Sequence, residues 1–201
     1  MKRVFKFISL AMILGMMGNS VAMAAAGNSI GSGTINLHGV VRDVTCSLNF
    51  PNKDLNFNID LSTLKAAKEN QVLETVKNDF TLNNCDGKNV LLTFSSPSFD
   101  TGTLNIFPSG LKYETSPLGM YLTLSSLDNN IFYKTAANAI GTAYNGGPLT
   151  ADGAHGIVLS PKGDSSTFTT VNKFKAGTST ATSRAEAKTY DFVYTYDLTY
   201  F

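Results

Sequence analysis

Histidine is scarce in this chain and tryptophan is missing, with two His and no Trp. His38 and His155 stand alone, at no ligand spacing to each other or to Cys46 and Cys85, so a Cys/His zinc site has little to build on. A Ser-His-Asp arrangement is equally short of material, although serines are plentiful. There is no HExxH, no phosphate-binding loop, and no GxGxxG opening a helix. Gly31-Ser32-Gly33 is a lone glycine pair in a segment that reads as extended, which makes no phosphate cradle. The 15 acidic residues mark out no carboxylate pair of the glycosidase kind. His38 falls on the polar parity of its strand and reads as a surface histidine. Neither an enzymatic activity nor a cofactor or metal is expected.

Charge of one sign is also lacking. The 16 basic and 15 acidic residues leave a formal charge of +1. Three of the basic residues, Lys2, Arg3 and Lys6, lie at the very start; without them, 13 basic against 15 acidic residues give −2. Nucleic acid would need clustered Lys and Arg, so it is not an expected partner. The single long apolar run, FISLAMILGMM (7–17), is too short to span a bilayer and no second run follows it. With the basic residues before it and Ala22-Met23-Ala24 after it, the run reads as a secretory signal peptide over 1–24. Cleavage after Ala26 fits nearly as well. Removing 24 of 201 residues leaves 177, enough for one domain with a sizeable core.

Only two cysteines are present. In an exported protein an even pair is most simply a disulfide, Cys46 to Cys85. Closing a loop of about 40 residues stabilises the fold by roughly 4 kcal/mol in the chain-entropy account.

Strand patterns fill the remainder. TINLHGVVRDV (34–44), DFTLNNC (79–85), NVLLTFSS (89–96), GMYLTLSSL (119–127), HGIVLS (155–160) and STFTTVNKFKA (166–176) are separated by Pro, Gly, Asn and Asp clusters. Short strands at fairly even spacing predict an all-β sandwich. STLKAAKENQVLETVK (62–77) is rich in helix formers, so a short helix capped by Ser62 is expected there. GTAYNGGPLTADGAHG (141–156) reads as a long, exposed, mobile loop. No repeat and no domain boundary appears within 40–201.

The two ends of the chain are the most informative. In YDFVYTYDLTYF (190–201) every even position is large and apolar: Tyr190, Phe192, Tyr194, Tyr196, Leu198, Tyr200. Twelve residues of period-two alternation predict a half-buried strand. Its apolar face lacks the charges, prolines or bulges that normally guard an edge. Near the other end, Ile35, Leu37, Gly39 and Val41 form a second stripe. It reads either as an ordinary first strand of this domain's sheet, or as a strand without a local partner that is offered to another molecule by β-augmentation.

GTINLHGVVRDVTCSL (33–48), DFTLNNCDG (79–87) followed by NVLLTF, LGMYLTLS (118–125) and the alternating C-terminal strand with penultimate Tyr200 together resemble fimbrial (pilin) subunits of the chaperone–usher pathway, similar to type 1 and P pilus subunits. The resemblance spans essentially the whole mature chain. It implies an incomplete immunoglobulin-like sandwich with six strands of its own, the seventh supplied in trans, and a groove between its first and last strands. It divides the chain into a signal peptide (1–24), an N-terminal donor-strand extension (25–43) and a pilin domain (44–201).

By position, Ile35, Leu37, Gly39 and Val41 are similar to the family's donor stripe, and Cys46 and Cys85 to its disulfide between the first two strands. Tyr194, Tyr196, Leu198 and Tyr200 resemble the chaperone-facing groove edge, with the Phe201 carboxylate in the anchoring position. The chain departs from the pattern at Lys188, where the family commonly has a glycine, and in the aromaticity of its last strand. The implied partners are identical or related pilin subunits, a periplasmic chaperone, an outer-membrane usher and, through the filament, a host receptor. The implied location is the periplasm and then the fimbrium on the cell surface. The alternative is a self-contained exported immunoglobulin-like adhesin or lectin module that uses the 141–156 loop.

Overall fold

The computed structural model describes residues 29–41, 46–49, 54–126, 131–134 and 140–201; the expected signal peptide lies outside them. Two sheets face each other. One has the order β10 (Ile140–Ala143), β9 (Ile131–Lys134), β11 (Asp152–Leu159), β5 (Val90–Ser95), β13 (Phe192–Tyr200), β1 (Ser29–Val41), β3 (Asp54–Asp60). The other has the order β2 (Ser47–Asn49), β4 (Val72–Asn83), β12 (Ser165–Ala176), β8 (Leu118–Ser126), β7 (Asn105–Ile106), β6 (Phe99–Asp100). Two helical turns, α1 (Leu61–Ala66) and α2 (Ser179–Ser183), complete the described elements.

The alternation legible in the sequence sets which face of each strand is covered. On β12 the even residues Phe168, Thr170, Asn172, Phe174 and Ala176 are buried, facing Phe80 and Leu82 of β4 and Met120, Leu122 and Leu124 of β8 within the core. Across the sandwich, Leu92 and Phe94 of β5 and the even residues of β13 supply the other half. The expected disulfide joins Cys46 to Cys85 and ties the start of β2 to the turn after β4, with both residues buried. The all-β immunoglobulin-like sandwich is thus as the sequence predicts.

Two expectations are corrected. The helix expected over 62–77 stops at Ala66. Asn70 takes a left-handed conformation (φ 64°) that a continuing helix would forbid, and asparagine tolerates it better than most residues. From Val72 the chain is strand β4, paired with β12 from Lys175↔Val72 to Ser165↔Asn83. Eleven ladder pairings with a buried neighbour outweigh helix propensities of a few tenths of a kcal/mol per residue. Ser62 lies inside α1 rather than at its N-cap, which is Asp60.

The segment 141–156 is mostly built into the sheet. Its ends belong to β10 and β11, and the turn between is anchored. The Tyr144 hydroxyl donates to the Gly147 carbonyl at 2.5 Å and accepts from the Leu124 amide at 3.0 Å. Leu149 is buried and bridges to Leu122.

The N-terminal stripe is paired within its own chain. Residues 29–41 pair with β3 on one side and with β13 on the other. The physical reason is proximity: an alternating segment joined to the sandwich by a few residues is the nearest strand available to an open sheet position.

Candidate functional site: a strand slot between β3 and β13

β1 occupies a slot in the first sheet. On one side it runs antiparallel to β3, from Ser29↔Asp60 to Asn36↔Asp54; on the other it runs parallel to β13, from Ile35↔Phe192 to Val41↔Leu198. Its first half therefore ladders with one wall and its second half with the other. The register is specific. Ile35, Leu37, Gly39 and Val41 stand beside Phe192, Tyr194, Tyr196 and Leu198, the four residues that carry the buried face of β13. A shift of one residue would exchange that parity for the polar one.

β3 forms the wall that the sequence reading overlooked. Its sequence DLNFNID alternates exposed polar residues with buried Leu55, Phe57 and Ile59. The signal was there in the period-two pattern, in a stretch lying between two better-marked segments. Phe57 of this wall and Phe192 of the other make an edge-to-face contact at 5.8 Å. Phe174, from β12 of the opposite sheet, stacks on Phe57 at 4.0 Å and meets Phe192 edge-on at 5.3 Å. The three rings floor one end of the slot.

Further along, Tyr194 donates its hydroxyl hydrogen bond to the Asn172 side-chain oxygen at 3.0 Å, and the Asn172 amide donates to the Val76 carbonyl at 3.1 Å. Tyr194 and Asn172 are both buried, so a polar chain links the floor to β4 without stranding a donor. Burial pushes the Tyr194 and Tyr196 hydroxyls well above the ordinary phenol range, so both stay neutral at physiological pH.

At the far end of β13, Tyr200 pairs with Val90 and lies under the Lys88 ammonium at 4.5 Å. The Phe201 amide donates to the Asn89 carbonyl at 3.0 Å, while the residue itself is exposed. At the near end, Lys188 sits over the Tyr190 ring at 5.2 Å in the position where the resemblance leads one to expect glycine. Of the sequence-marked residues, the structure brings the N-terminal stripe and the aromatic strand together along one ladder. His155 lies apart on β11, its Nδ1 2.6 Å from Asp152 Oδ2.

No family model and no curated protein matches the sequence. Among solved structures, the P pilus rod subunit PapA is similar over 79% of this chain and 100% of its own, with a TM-score of 0.52 and 17% identity. The CupB6 tip adhesin of Pseudomonas aeruginosa is similar over 67% of this chain, with a TM-score of 0.35 and 11% identity; the chain spans 34% of that adhesin's length. The all-β sandwich is thus similar in fold to a pilus rod subunit.

Proposed function

We propose that this chain is a structural subunit of a bacterial surface fimbria, assembled by passing the strand 29–41 from one copy to the slot of the next. The observation that carries this reading is β1 itself: a terminal segment inserted between two strands of a finished sandwich, where an equivalent segment of another copy would find the same ladder. Residues 1–24 would direct export. A periplasmic chaperone would guard the slot, and an outer-membrane usher would be the place of exchange.

The energetics are of the right size. Taking three aliphatic side chains out of water at ~1.5–3 kcal/mol each gives at most about 5–9 kcal/mol. Main-chain bonds add ~0.5–1.5 kcal/mol apiece. The role is architectural rather than catalytic, with adhesion supported through the assembled filament.

The substitution Leu37→Asp tests the reading, because it puts a carboxylate at the ladder position beside Tyr194. Filaments and denaturant-resistant oligomers should disappear while a chaperone complex still forms. Wild-type filament yield from this variant refutes the proposal. The insertion of β1 in its own chain favours one competing reading, a self-contained exported adhesin or lectin module. That reading requires the purified protein to stay monomeric for days at high concentration, whereas a fimbrial subunit slowly assembles.

A further inference from the structure

Asn145-Gly146 is the one Asn-Gly pair in the sequence, and it lies in the turn between β10 and β11. Both residues are exposed. Gly146 holds a left-handed conformation (φ 80°), and nothing stands within 4 Å of the place where a Cβ would be. With no side chain, its peptide nitrogen is unshielded. Among the described residues, none accepts a hydrogen bond from the Gly146 amide. The next amide is engaged: the Gly147 N–H donates to Asn145 Oδ1 at 3.0 Å, an Asx turn that folds the side-chain carbonyl back over the following peptide. Tyr144 holds this turn from outside, its hydroxyl bonding both the Gly147 carbonyl and the Leu124 amide. A nucleophile with no competing bond thus adjoins a carbonyl that already has a donor on its oxygen.

We infer that Asn145 is a self-modifying site: its side chain cyclises onto the Gly146 nitrogen, releases ammonia, and is opened by water to aspartate or isoaspartate. Solvent hydroxide takes the Gly146 amide proton as the nitrogen bonds to Cγ. The electron pair displaced from the Cγ–Oδ1 double bond resides on Oδ1, where the Gly147 N–H is placed to stabilise the growing charge. That pair then returns, the Cγ–Nδ2 bond breaks, and ammonia leaves with a proton from water. Water next opens the succinimide. Addition at Cγ gives aspartate with the main chain unchanged; addition at the Asn145 main-chain carbonyl gives isoaspartate, with an extra methylene in the main chain. Nothing is oxidised or reduced, and either product carries a new negative charge at neutral pH. The turn follows β10, at the opposite edge of its sheet from β3, so the ladders of β1 are untouched. Isoaspartate acts instead on the Tyr144 clamp, because the added methylene lengthens the path between Tyr144 and Gly147 that one hydroxyl bridges.

The test compares the purified, folded protein, disulfide intact, with a synthetic peptide of residues 141–150 in the same neutral buffer. Both are sampled over time by peptide mass mapping, with fragmentation that distinguishes isoaspartate from aspartate. The expected result is conversion at Asn145 in the folded chain at least as fast as in the peptide, in proportion to hydroxide concentration, with both products formed. Asn145→Gln, whose longer side chain closes a less favourable ring, should stay unmodified over the same period. A folded chain that converts more slowly than the peptide overturns the proposal, because the turn then protects the asparagine instead of preparing it. Aspartate without isoaspartate also overturns it, since direct hydrolysis bypasses the ring, as does equal conversion of Asn145→Gln. Hydrogen exchange at the Leu124 amide reads the clamp. Faster exchange is expected in the isoaspartate fraction than in the aspartate fraction, and equal protection in the two overturns the loosening.

Discussion

Phe57 and Phe192 stand on strands either side of β1, and their rings nevertheless meet, edge to face, at 5.8 Å. The contact is possible because Phe174 rises from the opposite sheet and touches both. The slot therefore has walls that hold each other independently of the strand inserted between them. Phe174→Ala should remove both contacts and leave a cavity, costing about 3–5 kcal/mol. The urea midpoint reads this directly; a midpoint within error of wild type would show that the three rings do not support the walls.

A second prediction concerns the polar floor. Tyr194→Phe removes the donor to Asn172 and leaves its side-chain oxygen buried without that bond. The cost should be about 1–3 kcal/mol, more than loss of an exposed hydroxyl would bring. Equilibrium unfolding of the single variant is the measurement, and a change below a few tenths of a kcal/mol would mean that the bond contributes nothing net.

The sandwich was legible in the sequence wherever one face of a strand is buried and the other wet, as on β12 and β13, because burial then writes itself into period two. It was illegible at 72–77, where Glu74 and Lys77 suit a helix but pairing with β12 decides the outcome. The site was half legible. The N-terminal stripe and the aromatic strand each show their own pattern, yet no local pattern encodes that they lie side by side and parallel. Their parallel register, from Ile35↔Phe192 to Val41↔Leu198, is a property of the closed fold. Phe57 and Asn172 were missed because their importance comes from the residues they touch across the sandwich.

The end of β13 carries a third prediction. Deleting Tyr200 and Phe201 removes the Tyr200↔Val90 pairing, the bond from the Phe201 amide to Asn89 and the ring beneath Lys88. β13 would then end at Thr199, one residue past its last pairing with β1 at Leu198. Chaperone capture should fail and the subunit should be degraded, so its periplasmic level should drop severalfold on immunoblots. Normal accumulation of the shortened chain would separate the C-terminus from capture.

The last prediction is a pH dependence at the start of β11. Burial alone would raise the Asp152 pKa, but the His155 amide, the His155 ring and the Ala154 amide all bond its carboxylate and together lower it to about 2. The ordinary carboxylate value is about 3.9. A carboxylate whose pKa is depressed by folding binds its proton more readily in the unfolded chain, so its contribution is complete above that ordinary value. The contribution then declines as pH falls from about 4 to about 2. In Asp152→Asn this window should flatten: the loss of unfolding free energy between pH 4 and pH 2 should be smaller than in wild type, with the difference modest because the pair is largely exposed. A carboxyl titration by NMR supplies the independent check, with an Asp152 midpoint near 4 contradicting the three-bond account.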